Sequence, residues 1–321
     1  MTQASISIGL SAAIVSVEKE NPSALVVARA DSEDALPFGP FDPQSQRTLE
    51  QGLRKWVGEQ TRFDLGYTEQ LYTFGDRGRH LPTAQPDDAD GTRVVSVGYL
   101  ALTRQGEDDA GKRETRWRPW YHYFPWEDWR DAKPRMIDTT ILPRLKSFVK
   151  GAANSQAAEL RRERVRLSFG ADGVAWDEEK VLERYELLYE AGLVEEARRD
   201  SGKPASRNES EMLGAAMMYD HRRILATAIA RLRGKMKYRP VVFELMAPSF
   251  TLLELQRTVE ALQGRRLHKQ NFRRLVAEQG LVEGTGKFAA SARGRPAELF
   301  HFRREVLRER PAPGLRLGIR R

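Results

Sequence analysis

Apolar positions near the N-terminus fall into two runs, ISIGLSAAIVSV and ALVVARA, separated by a polar break at Glu20–Pro22. Two such runs around a turn predict an antiparallel hairpin. LPFGPF follows, and then Leu49, Leu53, Trp56 and Val57 recur at spacings of three and four, which predicts a helix over about Gln44–Gln60 with one apolar face. Two further strands are expected at GYTEQLYTFG and, beyond a polar loop at 75–92, at RVVSVGYLALT. Strands, helix, then strands again point to an α+β protein built as a mixed α/β/α sandwich.

The middle of the chain has a different texture. Residues 105–118 are charged and read as loop, and RWRPWYHYFPWEDWR then holds four of the six tryptophans within fifteen residues. Its rings could stack on an adenine or nicotinamide, or pack an insert spanning about 105–210 against the sandwich or a second copy. Ala157–Arg166 and Glu178–Ala191 are the best helix candidates, the second with Asp177 as its cap. Ser201–Glu209 reads as a polar linker. A long helix is expected from about Met212 to Lys235, with Asp220–His221 inside it as a structural pair.

The last eighty residues carry sharper signals. Thr251 with Glu254 three positions on is a capping box, Gly264 ends the helix it starts, and HKQNFRRLVAEQG gives a second helix stopped by Gly280. A strand, a basic loop and a second strand follow. Two helices joined by a short turn and followed by a hairpin predict a winged helix-turn-helix at 239–321, after a body at 1–238.

Charge sharpens that division. From Asp220 onward there are 23 Lys/Arg and 9 Asp/Glu, a net +14, whereas the rest of the chain is net −6. A basic module on a mildly acidic body is the footprint of a polyanion-binding domain. Lys269, Gln270, Asn271, Arg273 and Arg274 lie around Phe272, Leu275 and Val276, which would anchor the second helix in the core. Asn and Gln can pair with adenine and Arg with guanine, while the remaining cations grip phosphate. The wing adds Lys287, Arg293 and Arg295, suited to phosphate or a narrow minor groove. A winged helix covers one half-site, so a homodimer on a palindromic operator in double-stranded DNA is expected.

YTEQLYTFGDRGRH with RVVSVGYLAL, YDHRRILATAIARLRGKMKYRPVVFEL, and FTLLELQRTVEALQGRRLHKQNFRRLVAEQGLVEGTGK with GRPAELFHF resemble the Nudix-related transcriptional regulators of NAD metabolism. The aromatic insert is similar to the alphaproteobacterial branch called NadQ. The resemblance implies a Nudix-like sandwich followed by a winged helix, and a repressor of NAD biosynthesis genes. It further implies an adenine nucleotide effector (NAD, ADP-ribose or ATP) and no required cofactor. Catalytic relatives carry G-x5-E-x7-R-E-U-x-E-E-x-G-U, whose glutamates hold divalent cations. Aligned here, Arg54, Trp56 and Glu59 match, but Gln46, Lys55 and Gly58 replace the other acids and Thr61 the glycine. A lysine repels a cation, and one carboxylate cannot hold a cluster, so a sensor that does not hydrolyse its ligand is expected. Candidate effector contacts are Arg47 and Arg54 for the pyrophosphate, and Gln70, Tyr72 and Phe74 for ring and ribose; a core role for the two rings is the competing reading.

The remaining exclusions are simple. With no cysteine there is no disulfide, thiolate metal site or cysteine nucleophile. No apolar run approaches 18 residues, so no membrane helix is expected. The N-terminal stretch lacks a basic flank and reads as a strand rather than a signal peptide, which places the protein in the cytoplasm. Two rivals to the regulator are an active Nudix pyrophosphohydrolase with a nucleic-acid-docking tail and an adaptor whose winged helix touches no DNA.

Overall fold

A computed structural model describes residues 5–27, 33–61, 65–76, 92–105, 115–202, 213–289 and 296–315. Its centre is a long strand, β1 (Ser5–Glu18), that runs parallel to β5 (Thr92–Leu102) along eleven paired positions. On its other side β1 pairs antiparallel with β3 (Phe38–Pro40) near its start and with β2 (Asn21–Val27) near its end. With β4 (Tyr67–Phe74) and β6 (Thr115–Pro119), the sheet order is β4-β5-β1-β2-β6. The β1–β2 hairpin turns at Lys19–Glu20, both at positive φ, one step earlier than expected, so Asn21 and Pro22 already belong to β2.

Strand alternation sorts the core into two faces. Leu10, Ala12 and Ile14 of β1, with Val97, Tyr99 and Ala101 of β5, meet Leu53 and Val57 of α1 (Leu49–Thr61). Ala13, Val15, Leu100 and Leu102 point the other way, against α6 (His221–Lys235) and the insert. Helix α1 starts later than its apolar spacing suggests because Asp42 draws the chain into a turn. Its carboxylate accepts from the Gln44 amide and the Ser45 hydroxyl, which competes with helix at those positions.

The insert adds α2 (Leu142–Lys150), entered through a π-helical turn at Ile137–Ile141, then α3 (Ser155–Phe169), α4 (Val181–Glu190) and α5 (Glu195–Asp200). Three expectations need correction here. Residues 115–118, read as loop, form the edge strand β6, because their backbone pairs with β2. Helix α4 begins at Val181 without a side-chain cap; Asp177 instead accepts from the Glu179 amide in the preceding turn. The helix expected from Met212 begins only at His221, because amides of 213–220 are committed elsewhere. Met217 N–H donates to Glu196 and Met218 N–H to the Asp34 carbonyl, with Gly214 and Tyr219 at φ +84° and +55°.

The winged helix follows its signals closely. Thr251 and Glu254 form both halves of the capping box of α7 (Leu252–Gln263), Gly264 caps it in the left-handed region, and Gly280 does the same for α8 (Lys269–Gln279). Strands β7 (Val282–Phe288) and β8 (Glu298–Phe302) make the wing's base, and a short α9 (Val306–Glu309) follows them. Leu255, Val259 and Leu262 of α7 join the same apolar cluster as the α6 face of the sheet.

Gly39 tests this packing. The Trp56 indole lies on it and donates from Nε1 to the Pro40 carbonyl, so a Cβ at Gly39 would fall well inside contact with three ring atoms. Gly39→Ala is therefore expected to destabilise the fold by about 1–3 kcal/mol, the usual cost of overpacking. Denaturant unfolding with an unchanged midpoint would contradict this.

Candidate effector pocket and nucleic-acid interface

Two features stand out on the molecule: a small cavity on the α6 face of the sheet, and the exposed side of the winged helix. The cavity holds about 200 Å³ and is lined by Ser7, Gly9 and Ser11 of β1, Phe38–Pro40 of β3, Val94 and Ser96 of β5, and Tyr219 and His221 at the start of α6. Gly9 leaves its floor open, and Ser7, Ser11 and Ser96 give it hydroxyls where neighbouring strand positions are apolar. Ser11 is 2 % exposed.

Three rings form the wall. Phe38, Tyr219 and His221 meet edge-to-face, with centroids 5.0–5.3 Å apart. The buried His221 accepts at Nδ1 from the Leu36 amide, 3.1 Å away, which fixes the neutral tautomer with its proton on Nε2. Tyr219 sits at φ +55°, a conformation that bulky residues adopt only when their surroundings impose it. Arg199 does so here by donating to the carbonyls of Met217 and Tyr219 and to Glu33. Burial pushes the Glu33 carboxyl up to about 6 against the pull of Arg199, with Glu196 and Glu195 adding to the rise. Next to this loop, Asp34 accepts from the Tyr123 phenol and from Arg116; burial and the Asp34 carboxylate hold that phenol protonated far above its ordinary range.

None of the five effector contacts expected from sequence lines this cavity. Arg47 is exposed ahead of α1. Arg54 donates to Glu50, to the Leu65 and Gly66 carbonyls and to Thr68, so its guanidinium ties α1 to the entry of β4. A bulge between Gln70 and Thr73 breaks the alternation of β4 and turns both Leu71 and Phe74 inward, while Gln70 and Tyr72 face out. Phe74 is core beneath the Arg223 guanidinium, and Tyr72 lies under Arg231 beside a separate shallow cavity. Asp220–His221, read as a helix-interior pair, opens α6, and its histidine is a cavity wall. No sequence pattern marked Ser11 or Tyr219; the glycine and two prolines of LPFGPF were the one local sign of unusual backbone.

On the winged helix, Phe272 and Val276 are buried, while Lys269, Gln270, Asn271, Arg273 and Arg274 are exposed along one side of α8. Arg274 has only a loose contact with Glu278, 3.8 Å away. The turn between α7 and α8 is set by Glu260, a buried carboxylate that no local pattern singles out. Burial alone would raise its pKa, but the Leu267 amide, Gln256 and Arg266 all donate to it and hold it below the usual carboxylate range. Phe243 stacks on Phe302 at 4.4 Å and braces the wing's base. Lys287 is exposed on β7; Arg293 and Arg295 lie outside the described residues.

Residues 242–302 match the NrtR DNA-binding winged helix domain family. A stretch of 86 residues is 41% identical to the ADPR responsive transcriptional repressor NtrR of Acinetobacter baylyi, covering 27% of this chain and 34% of that protein. The chain thus spans about a third of that curated relative's length. The crystal structure of Shewanella oneidensis NrtR superposes with a TM-score of 0.54 at 20% identity, over 93% of this chain and 94% of that one. The same protein complexed with a 27mer DNA gives 0.50 at 21% identity over the same shares. A MutT/nudix family protein from Enterococcus faecalis gives 0.50 at 15% identity, over 94% and 88%. These likenesses establish the architecture, a Nudix-like sandwich followed by a winged helix.

The Glu33 carboxyl gives a signed test. Its folded value of about 6 lies above the ordinary 4.5, so the folded state holds a proton that the unfolded chain releases. That contribution to stability is complete below about 4.5 and lost as pH rises through about 6. Glu33→Gln should therefore gain stability over the parent between pH 4.5 and 6.5. An identical difference between the two proteins at both pH values would refute the assignment.

Proposed function

We propose that this chain is a ligand-responsive transcriptional repressor that binds double-stranded DNA through its winged helix and senses an adenine nucleotide in its Nudix-like domain. The observation that carries the reading is the union, in one chain, of a basic winged helix with a Nudix-like sheet whose signature helix has Lys55 and Gly58 where acids would bind metal. A sensor that leaves its ligand intact reports its concentration. The reading takes ADP-ribose ahead of NAD and ATP, because the 41% identical relative is an ADPR responsive repressor. NAD biosynthesis genes as targets, action as a cytoplasmic homodimer on a palindromic site, and the NadQ branch rest on the sequence resemblance and on half-site geometry.

The serine-lined cavity is the proposed effector site. At about 200 Å³ it takes a base or a ribose rather than a whole dinucleotide. The Ser11 hydroxyl supplies a hydrogen bond, and Phe38, Tyr219 and His221 supply ring surface. On the DNA side, Lys269 and Arg274 are assigned to phosphate, Gln270, Asn271 and Arg273 to base edges, and Lys287 with Arg293 and Arg295 to the wing contact.

Titration of the full chain with ADP-ribose, NAD and ATP, with and without promoter DNA, tests this. ADP-ribose should change operator affinity without being turned over; equal operator affinity under all conditions would refute the sensor, and sustained hydrolysis with Mg²⁺ would favour the enzyme. Asn271→Ala or Arg273→Ala should weaken specific binding by about 1–3 kcal/mol. Lys287→Ala should weaken binding to operator and random DNA alike, with the salt slope falling by about one unit. Ser11→Val should weaken ADP-ribose binding and leave operator affinity of the free protein unchanged.

A further inference from the structure

The C-terminus of α7 is finished by the body of the protein. A helix leaves its last carbonyls without partners, and a local turn or water normally satisfies them. Gly264 N–H returns to the Glu260 carbonyl in the usual way. The carbonyls beyond it go elsewhere. Ala261 accepts from the Tyr121 phenol at 2.7 Å, Leu262 from Arg233 Nε at 2.8 Å, and Gly264 from the Trp129 amide at 2.6 Å. Gly264 is itself required, since at φ +73° any Cβ would run into the Glu127 carbonyl.

Behind these caps lies a buried charge network. Arg233 also donates to Glu127 and to the Glu178 carbonyl. Glu127 accepts from Nε and Nη2 of Arg184, whose Nη1 donates to the Ser168 and Asp177 carbonyls and whose guanidinium lies 3.8 Å over the Trp176 ring. All three charges are at most 1 % exposed. Two cations against one carboxylate leave an excess positive charge at the negative end of the α7 dipole, where it is favourable. Removing a member would strand the others in a dry interior, which makes sliding at this contact costly.

We infer that the aromatic segment 120–129, with Arg233, is a positioning joint that fixes the winged helix to the sensor sheet as one body. Trp120, Tyr123, Phe124 and Trp126 anchor the segment in the core, and Tyr121, Glu127 and Trp129 reach α7. Helix α6 carries Arg233 at this joint and His221 at the cavity, twelve residues or roughly 18 Å apart along its axis. A shift at the cavity wall therefore reaches α7 as a rigid displacement, and the winged helix does not swing on its own. The geometric claim is independent of the regulator reading; only its part in signalling rests on it.

The chain has no cysteine, so Gly58→Cys on α1 and Ala277→Cys on α8, both exposed, can carry a spin-label pair in the full-length protein. Dilution with unlabelled chain removes distances between copies. One narrow distance is expected, the same with and without ADP-ribose or DNA. A broad or two-peaked distribution, or a shift beyond about 5 Å (one helical turn), would overturn the joint. Arg233→Met should broaden the distribution and split thermal unfolding into two steps. If that variant does not fold, Tyr121→Phe, which removes one cap and no charge, should broaden the distance alone. A distribution as narrow as the parent's in the folded variant would overturn the role of these caps. If ADP-ribose alters operator affinity, the alteration should shrink in Tyr121→Phe. An undiminished response beside a broadened distance would remove the joint from signalling and leave the regulator reading standing.

Discussion

The buried Glu127 carboxylate, held between Arg184 and Arg233, is the constraint on which the rest of the molecule depends. It joins the insert, helix α6 and the first helix of the winged module at a single point from which water is excluded. Such a network adds little net stability, because desolvating three charges offsets most of their attraction. What it supplies is directionality. Arg184 and Arg233 each donate to four acceptor atoms spread over different elements, so few arrangements of the surrounding helices satisfy both.

Around that point the protein divides its labour by surface chemistry. The sheet presents one apolar face to α1 and the other to α6, and at one end of the second face Gly9 with Ser7, Ser11 and Ser96 stands in place of large residues and leaves a cavity. The strained Tyr219 and the histidine that closes the wall are held by a second charged cluster. There Glu196 accepts from Arg222 and from the Met217 amide, and Arg199 ties Glu33 to the loop carbonyls. In the winged helix, Arg257, Arg265, Arg266 and Arg303 are held in ion pairs on the side that meets the body or the hairpin base. Arg273 and Lys287 stand exposed, as a surface that meets a polyanion requires.

Much of this was legible in the residues. Apolar runs bounded by polar breaks marked β1, β2 and β5, and the spacing of Leu49, Leu53 and Val57 marked the apolar face of α1. Thr251, Glu254, Gly264 and Gly280 set the ends of the two winged-module helices to within a residue, because a capping box and a left-handed glycine act over three or four positions and need no distant partner. Charge asymmetry and the exposed cations of the second helix followed from composition and from one period of helix. The Nudix-like signature, with Lys55 and Gly58 out of pattern, was equally local.

The features read least well all depended on distant partners. Residues 213–220 have helical periodicity, yet Glu196, Asp34 and Arg199 claim their backbone groups, and no local preference outweighs hydrogen bonds made to buried charges. The bulge in β4 sent Phe74 into the core and Tyr72 outward, which removed both from any shared pocket. The cavity is assembled from β1, β3, β5 and the turn before α6, segments that span Ser7 to His221 in the chain. The aromatic run 117–129 announced itself as apolar but not which surface it would bury. Sequence alone determined the elements and their charges, because those follow from neighbours a few positions away. Only the tertiary structure decided where the cavity lies and how the winged helix is held, because both depend on which buried donors meet which carbonyls across the chain.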